Sequence, residues 1–328
     1  MHLLYLSVPE YMQRSQPLPS GSGQEDRLMN SGVQRYRLIS RSVFFLLFLL
    51  APVLDIFRLD LTLGHFIFFG YDWTLELAPA AGQSAASVFS QLFWRLALPV
   101  LLTVIVLIVF VWRWGRIYCG WLCPHFSVLE WLDSKMHYWL GRRSLWEKSS
   151  SGARPGARTV LFFWILACSF LWAVSLLSYL IPPLPLWQGI FRLQVDTYPL
   201  IFLCAATVLF FIEFTLARHW FCRYGCAVGI FQSLIWAANP RGLVIGYRKE
   251  RGKDCRDCHA CDQVCPMRLP PRAHKQRKIT CTQCRLCIDT CAEVQKHNPA
   301  GSLLYWASGD DARQYERQLP VIIAREQE

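Results

Sequence analysis

Charge is scarce in this chain. Only 17% of its 328 residues are Asp, Glu, Lys or Arg, while 53% are hydrophobic and the mean hydropathy is +0.24. That balance excludes an ordinary soluble domain and points to an integral membrane protein. Methionine is scarce too, with five residues, so there is no thioether track for copper. No glycine-rich dinucleotide fingerprint is present, and the chain is expected to take electrons from a donor instead of binding a nicotinamide itself. No histidines pair at matched depth in two apolar stretches, which leaves no haem site. The opening Met1–Val8 lacks a basic flank and a small-residue cleavage site, so it is not read as a signal peptide.

Basic residues are missing from particular places. Of the 34 Lys and Arg, 31 lie before residue 42, between Arg113 and Arg158, or after Ala217. The segments 59–94 and 182–198 hold one between them. Four apolar stretches alternate with these regions: Ser42–Phe57, Leu96–Trp112, Thr159–Ile181 and Thr197–Ala217. Each is near the roughly 20 residues that cross a bilayer core. The positive-inside bias places both termini and the loop between spans two and three in the cytoplasm. The net charge of +11 is then a topology signal, and nucleic acid is not expected as a partner. A fifth run, Leu61–Tyr71, is too short to span and is expected to be re-entrant or interfacial.

Cysteine is abundant, with 14 residues. Cys255, Cys258, Cys261 and Cys265 form a C-x-x-C-x-x-C-x-x-x-C run closed by Pro266, and Cys281, Cys284, Cys287 and Cys291 repeat it. This is the spacing of a bacterial two-cluster ferredoxin, in which three cysteines of each run hold one [4Fe–4S] cube and the fourth crosses to the other. The pattern predicts Cys255, Cys258, Cys261 and Cys291 on one cluster and Cys281, Cys284, Cys287 and Cys265 on the second. Structural disulfides and zinc are the competing uses. Zinc sites favour two separated C-x-x-C pairs over three-plus-one runs with a proline.

Four more cysteines form two C-x-x-x-C pairs, Cys119 with Cys123 and Cys222 with Cys226, each following an apolar span, an arginine and an aromatic residue. The spacing would put two thiols one turn apart on one helix face. The match between Gly115–Pro124 and Arg218–Cys226 reads as an internal repeat of two helical hairpins, with amphipathic stretches Phe126–Leu140 and Val228–Ala238 behind the pairs. The four thiols are a candidate further redox or copper site: a cluster, Cu(I) or a dithiol couple would each suit them. Cys168 and Cys204 fall inside spans and read as apolar filler, with a membrane copper site as the alternative. Glu213, a membrane carboxylate, is a functional candidate by default or a partner for Arg218. His125 and His219 flank the pairs and could serve quinone or metal, while an isolated His65 reads as structural.

The stretches GRIYCGWLCP (115–124), WFCRYGCAVGIFQ (220–232), CRDCHACDQVCPM (255–267) and TCTQCRLCIDTC (280–291) resemble the membrane polyferredoxins of the CcoG/FixG/RdxA type, with NapH-type relatives as second choice. The resemblance covers about 40–298. It implies a cytoplasmic (inner) membrane protein that supports cytochrome oxidase assembly by reducing Cu(II) to Cu(I), with assembly factors as partners. The NapH side implies oxidation of quinol and delivery to a partner reductase. A redox sensor without turnover is the third expectation. The chain departs from the family in ending without the usual immunoglobulin-like domain, and in Ala227, where proline is usual after the second pair.

The expected organisation is a tail (1–40), a four-helix membrane domain (41–240), an α+β two-[4Fe–4S] ferredoxin domain (241–299) on the cytoplasmic side, and a polar tail (300–328).

Overall fold

The computed structural model describes residues 32–74, 85–141, 156–255 and 258–317. Of the expected tails, 1–40 and 300–328, and the polar linker 141–158, residues 1–31, 318–328 and 142–155 lie outside the described residues, whereas 32–40 are helical and 304–317 add a strand and a helix.

Among the described residues, three helices are long and apolar enough to cross a membrane: α2 (Ala86–Trp114), α5 (Ala157–Leu177) and α7 (Thr197–Ala217). Their Leu, Val, Ile and Phe runs can be lipid-exposed only as helix, because hydrocarbon offers the backbone no other hydrogen-bond partner. α2 begins at Ala86 instead of Leu96, so part of the segment expected outside is helical. It turns through a π segment at Phe93–Ala97.

α5 and α7 form an antiparallel pair. Near one end Phe162 meets Phe211 edge-on, with ring centroids 5.2 Å apart; near the other, Val174 and Leu177 pack with Leu203.

The first expected span is displaced. Helix α1 covers Gly32–Leu50, and the chain then turns through Ala51–Asp55, with Asp55 at φ 51°. Pro52 removes a backbone donor where the helix would continue. The polar first half of α1, with Gln34 and Arg37 buried, packs on α3 (Ile117–Trp121) and α4 (Pro124–Leu140); its apolar half brings Phe45 and Phe48 onto Trp172.

The run Leu61–Tyr71 is not helical. It lies in an antiparallel meander, β1 (Phe57–Asp60), β2 (His65–Phe68) and β3 (Tyr71–Trp73). Leu59 and Leu61 N–H donate to the carbonyls of Tyr179 and Leu180, tying the meander to the end of α5. A short helix, α6 (Pro183–Arg192), packs at the same end.

At the other end, α8 (Ala227–Ala237) lies along the inner part of α2. The chain then enters a small α+β unit. Strand β4 (Val244–Tyr247) pairs antiparallel with β5 (Leu304–Ala307), so this unit reaches past residue 299. Helices α9 (Ala260–Val264) and α10 (Leu286–Val294) pack on each other, and Ile245, Cys261, Cys287, Ile288 and Leu304 form one buried cluster. Helix α11 (Asp310–Arg317) covers β4, where Val244, Ala307, Ala312 and Tyr315 close over Trp236 of α8.

Candidate functional site

The eight ferredoxin-type cysteines line two cavities. Cys255, Cys258, Cys261 and Cys291 surround the first, with ≈ 330 Å³ of empty space. Cys265, Cys281, Cys284 and Cys287 surround the second, with ≈ 400 Å³. Each cavity takes three cysteines from one run and one from the other, the crossing that the spacing predicts. The remaining walls are mostly apolar: Val294, Leu303 and Leu304 around the first, Ile245, Met267 and Leu269 around the second.

The backbone produces this arrangement twice. His259 and Arg285, each two residues before the third cysteine of its run, hold positive φ of 50° and 67° and start α9 and α10. Such φ is costly for non-glycine residues and marks a conformation imposed by its surroundings. Donors point at sulfur: Leu269 N–H at Cys265 Sγ (3.5 Å), Leu303 N–H at Cys291 Sγ (3.4 Å) and Arg272 Nη1 at Cys255 Sγ (3.4 Å). Burial pushes the free thiols of Cys265 and Cys281 up to about 12 and about 11. A bare thiolate is unfavourable in these walls, and iron is the kind of partner that makes it favourable. Four thiols around a mostly apolar cavity with donors aimed at sulfur fit a [4Fe–4S] cube.

The second cavity faces the membrane domain. Gly120 packs so closely on the Thr282 carbonyl that a β-carbon would stand 2.3 Å from its oxygen. Trp121 Nε1 donates to the Gln283 carbonyl (3.1 Å), and Gln34 Nε2 to the Cys284 carbonyl (3.2 Å) and to Asp289 (2.7 Å). Arg37 donates to the Gly120 carbonyl and pairs with Glu130. In the first cavity, Cys258 is exposed.

The two C-x-x-x-C pairs come together, but neither lies on one continuous helix face. Cys119 sits in the one-turn α3 and Cys222 in a π turn, Phe221–Gly225. Cys123 and Cys226 adopt extended ψ (118° and 107°) and stand at the N-termini of α4 and α8. The Gly229 N–H donates to Cys226 Sγ (3.4 Å), and the N–H groups of His125 and Phe126 favour the Cys123 thiolate. A helix N-terminus supplies partial positive charge as well as donors. Burial pushes Cys123 up to about 11. Cys222 is raised by burial and then by Cys123, Cys119 and Cys226, so all four thiols share one neighbourhood. Cys119 Sγ donates to Gln232 Oε1 (3.2 Å). Among the described residues no three His, Cys, Asp or Glu are drawn tightly around one point.

Glu213 opens a π turn at the C-terminal end of α7 and pairs with His125 Nε2 at 2.7 Å, while Arg218 reaches Asp133. The His125 ring lies among Trp172, Phe214 and Phe221, each about 5.6–5.7 Å away between centroids. His219 lies 3.2 Å from Asp133, and His65 pairs with Asp72. Cys204 faces outward on α7, and Cys168 is half-buried against the core. The sequence reading passed over Arg116, Gln232 and Arg37. Of these, only Arg116 carried a signal, its place in the repeat.

Residues 96–145 and 197–242, which contain both hairpins, match a family described as a 4Fe-4S binding domain; residues 243–309 match a 4Fe-4S dicluster domain. Protein RdxA of Cereibacter sphaeroides is 28% identical over 60% of this chain and 45% of its own length. The ferredoxin-type protein NapH of Haemophilus influenzae is 27% identical over 55% of this chain and 60% of its own. The nitrogen fixation protein FixG of Rhizobium meliloti is 26% identical over 55% and 38%. The chain thus spans about half the length of these curated relatives. No solved structure matches significantly. These matches bear out the resemblance to ferredoxin-type membrane proteins of the FixG, RdxA and NapH kind.

Proposed function

We propose that the chain is a membrane-bound iron–sulfur electron-transfer protein, with Cys255, Cys258, Cys261 and Cys291 holding one [4Fe–4S] cluster and Cys265, Cys281, Cys284 and Cys287 the other. The carrying observation is the pair of cavities, each lined by three cysteines of one run and the fourth of the other. Bound clusters supply one-electron exchange at a potential set by charge, hydrogen bonding and burial. The chain's own residues give the exchange a direction. The second cavity abuts the hairpin thiols, and the first opens toward solvent at Cys258.

In this proposal α1 and the turn that follows it, which run from Gln34 beside Asp289 to Leu59 beside Tyr179, join α2, α5 and α7 as four passes of the cytoplasmic membrane. The Lys/Arg bias puts both termini and the ferredoxin unit in the cytoplasm. The domain plan is a membrane part over 41–240 followed by a ferredoxin part from 241.

At the finer level the substrate is Cu(II), received at Cys119, Cys123, Cys222 and Cys226. One electron per ion gives Cu(I), the state that thiolates favour, for delivery to cytochrome oxidase assembly. The same four thiols could instead carry a further cluster.

A specific observation favours a second reading. The His125–Glu213 pair offers two proton-accepting groups within an aromatic setting beside Cys123. A quinol releases two electrons and two protons; clusters held by the eight ferredoxin-type cysteines would supply one-electron acceptors, and the dyad can take the protons.

Following cluster colour anaerobically separates the readings. Copper handling expects Cu(II) to reoxidise reduced clusters with Cu(I) trapped by a chelator, and this to fail when the four hairpin cysteines are serine. The quinol reading expects oxidised clusters to bleach with a soluble quinol, insensitive to copper. Intact clusters that respond to neither leave the redox-sensor reading.

A further inference from the structure

Among the described residues, four arginines are buried: Arg37, Arg58, Arg116 and Arg218. Three meet a carboxylate. Arg37 pairs with Glu130, Arg58 with Asp60 and Arg218 with Asp133. Arg116, 1% exposed, has only neutral partners. Its Nη2 donates to the Cys222 carbonyl (2.7 Å), and its Nη1 to Ser233 Oγ and the Thr280 carbonyl (both 3.4 Å). Its Nε has no partner at all. A guanidinium stays charged when buried, and an uncompensated buried charge costs several kcal/mol. The repeat sharpens the contrast. Arg116 stands three residues before the first cysteine pair and Arg218 four before the second, and of the two only Arg218 has a carboxylate.

The surroundings of Arg116 hold thiols where the other arginines have acids. Its guanidinium binds the Cys222 carbonyl and the carbonyl of Thr280, next to Cys281, and its own carbonyl accepts the Cys119 N–H. It also joins three segments that carry chemistry: its own hairpin, the second hairpin through Cys222, and the ferredoxin run through Thr280. Gly229 keeps the place open, since a β-carbon there would stand 2.4 Å from Arg116 Nη2.

We propose that Arg116 is the counter-charge of two redox centres at once: the hairpin thiol site, and the cube held by Cys265, Cys281, Cys284 and Cys287. Its anion is the negative charge of metal-bound thiolate at Cys119, Cys222 and Cys281. This rests on the cluster assignment above. A fixed cation beside a cluster stabilises the reduced, more negative state and raises its potential. Arg116 therefore couples the two centres: charge added at one weakens the attraction that it offers the other. It is a positioning residue and touches the reacting metal only through sulfur.

The test compares Arg116→Gln, Arg116→Lys and the parent chain, purified whole without oxygen, by iron and sulfide assay and by a redox titration followed by electron paramagnetic resonance. Arg116→Gln is expected to make the nearer cube at least tenfold harder to reduce, 59 mV for one electron, with the cube on Cys255, Cys258, Cys261 and Cys291 much less affected. Arg116→Lys keeps the charge and should restore most of the shift. Metal affinity at the hairpin thiols should fall about tenfold in the Gln variant, as for lost outer partners elsewhere. Full iron with unmoved potentials, equal shifts in both cubes, or a lysine variant that behaves as glutamine would each overturn the assignment. Where Arg116→Gln does not assemble, Ser233→Asp against Ser233→Asn places one negative charge on Arg116 Nη1. The aspartate should lower the nearer cube alone, and identical potentials in the two would overturn the assignment. A parent chain without iron would sink the cluster assignment itself, and this proposal with it.

Discussion

The α-carbon of Gly120 faces the Thr282 carbonyl with no room for a methyl group: a β-carbon on Gly120 would lie 2.3 Å from that oxygen. The obstacle is backbone, so no rotamer change relieves it. Gly120→Ala is therefore expected to destabilise the docked ferredoxin unit by about 1–3 kcal/mol, the usual cost of overpacking. Gly252→Ala, whose β-carbon meets only the Tyr247 hydroxyl at an ordinary 3.6 Å, should be nearly neutral. Denaturation midpoints of the two variants, measured in detergent under nitrogen, check the contrast.

The crossing of ligands makes an assignable prediction about metal content. The anaerobic protein should carry about eight irons and eight sulfides from its two cubes. Cys265→Ser should deplete the site of Cys281, Cys284 and Cys287, and Cys291→Ser the site of Cys255, Cys258 and Cys261. Iron assay with Mössbauer or paramagnetic spectra of each variant distinguishes the two. Stoichiometric zinc in place of iron would sink the assignment.

The hairpin thiols are expected to act as one site. Replacing Cys119 and Cys123 by serine should cause the same loss of electron exchange as replacing Cys222 and Cys226. The four-fold variant should be no worse than either double, and the ferredoxin-type clusters should survive in all three. Independent, additive losses would make the repeat purely architectural.

Topology follows from the Lys/Arg distribution. A reporter active only in the cytoplasm should work when fused after Glu328, and one active only outside should work at about residue 190. The reverse pattern would overturn the orientation.

The His125–Glu213 pair separates the two substrates. Glu213→Gln keeps the shape and a hydrogen bond but removes a proton acceptor. On the quinol reading it should slow quinol-driven cluster reduction by 10²-fold or more, within the range of lost general-base catalysis, and leave Cu(II) reduction unchanged. Stopped-flow optical traces with each substrate check this.

How far the sequence could be read depends on the distance between interacting residues. The grouping of the ferredoxin-type cysteines was legible because a cube would constrain cysteines three and four residues apart, and the crossing is written in the same local spacing. The hairpin repeat was legible for a similar reason. Its detail was not: each pair straddles a break between a short turn and the next helix, because Cys123 and Cys226 leave helical ψ to start α4 and α8. The partner of Glu213 lies 88 residues away on another hairpin, and Thr280 lies 164 residues from Arg116. Such pairings are set by packing and leave no local pattern. Leu61–Tyr71 carried a hairpin signal in Gly64 and Gly70, which bracket the short apolar β2 at positive φ, where length alone suggested a re-entrant or interfacial segment.

The two cavities also set an order of events in the life of the chain. A ribosome builds residues in sequence, and the first cavity needs Cys291 as its fourth wall cysteine. The second needs Cys287, four residues earlier, together with Cys265 from the first run. Neither receptacle is whole while the first run alone has been made, although its three leading cysteines emerge early. The membrane helices and both hairpins are by then already synthesised, and Gly120 and Arg116 wait as the surface on which the second run closes. Loading of a cluster into either cavity would thus follow synthesis of Cys287 or Cys291, after the membrane helices have been made.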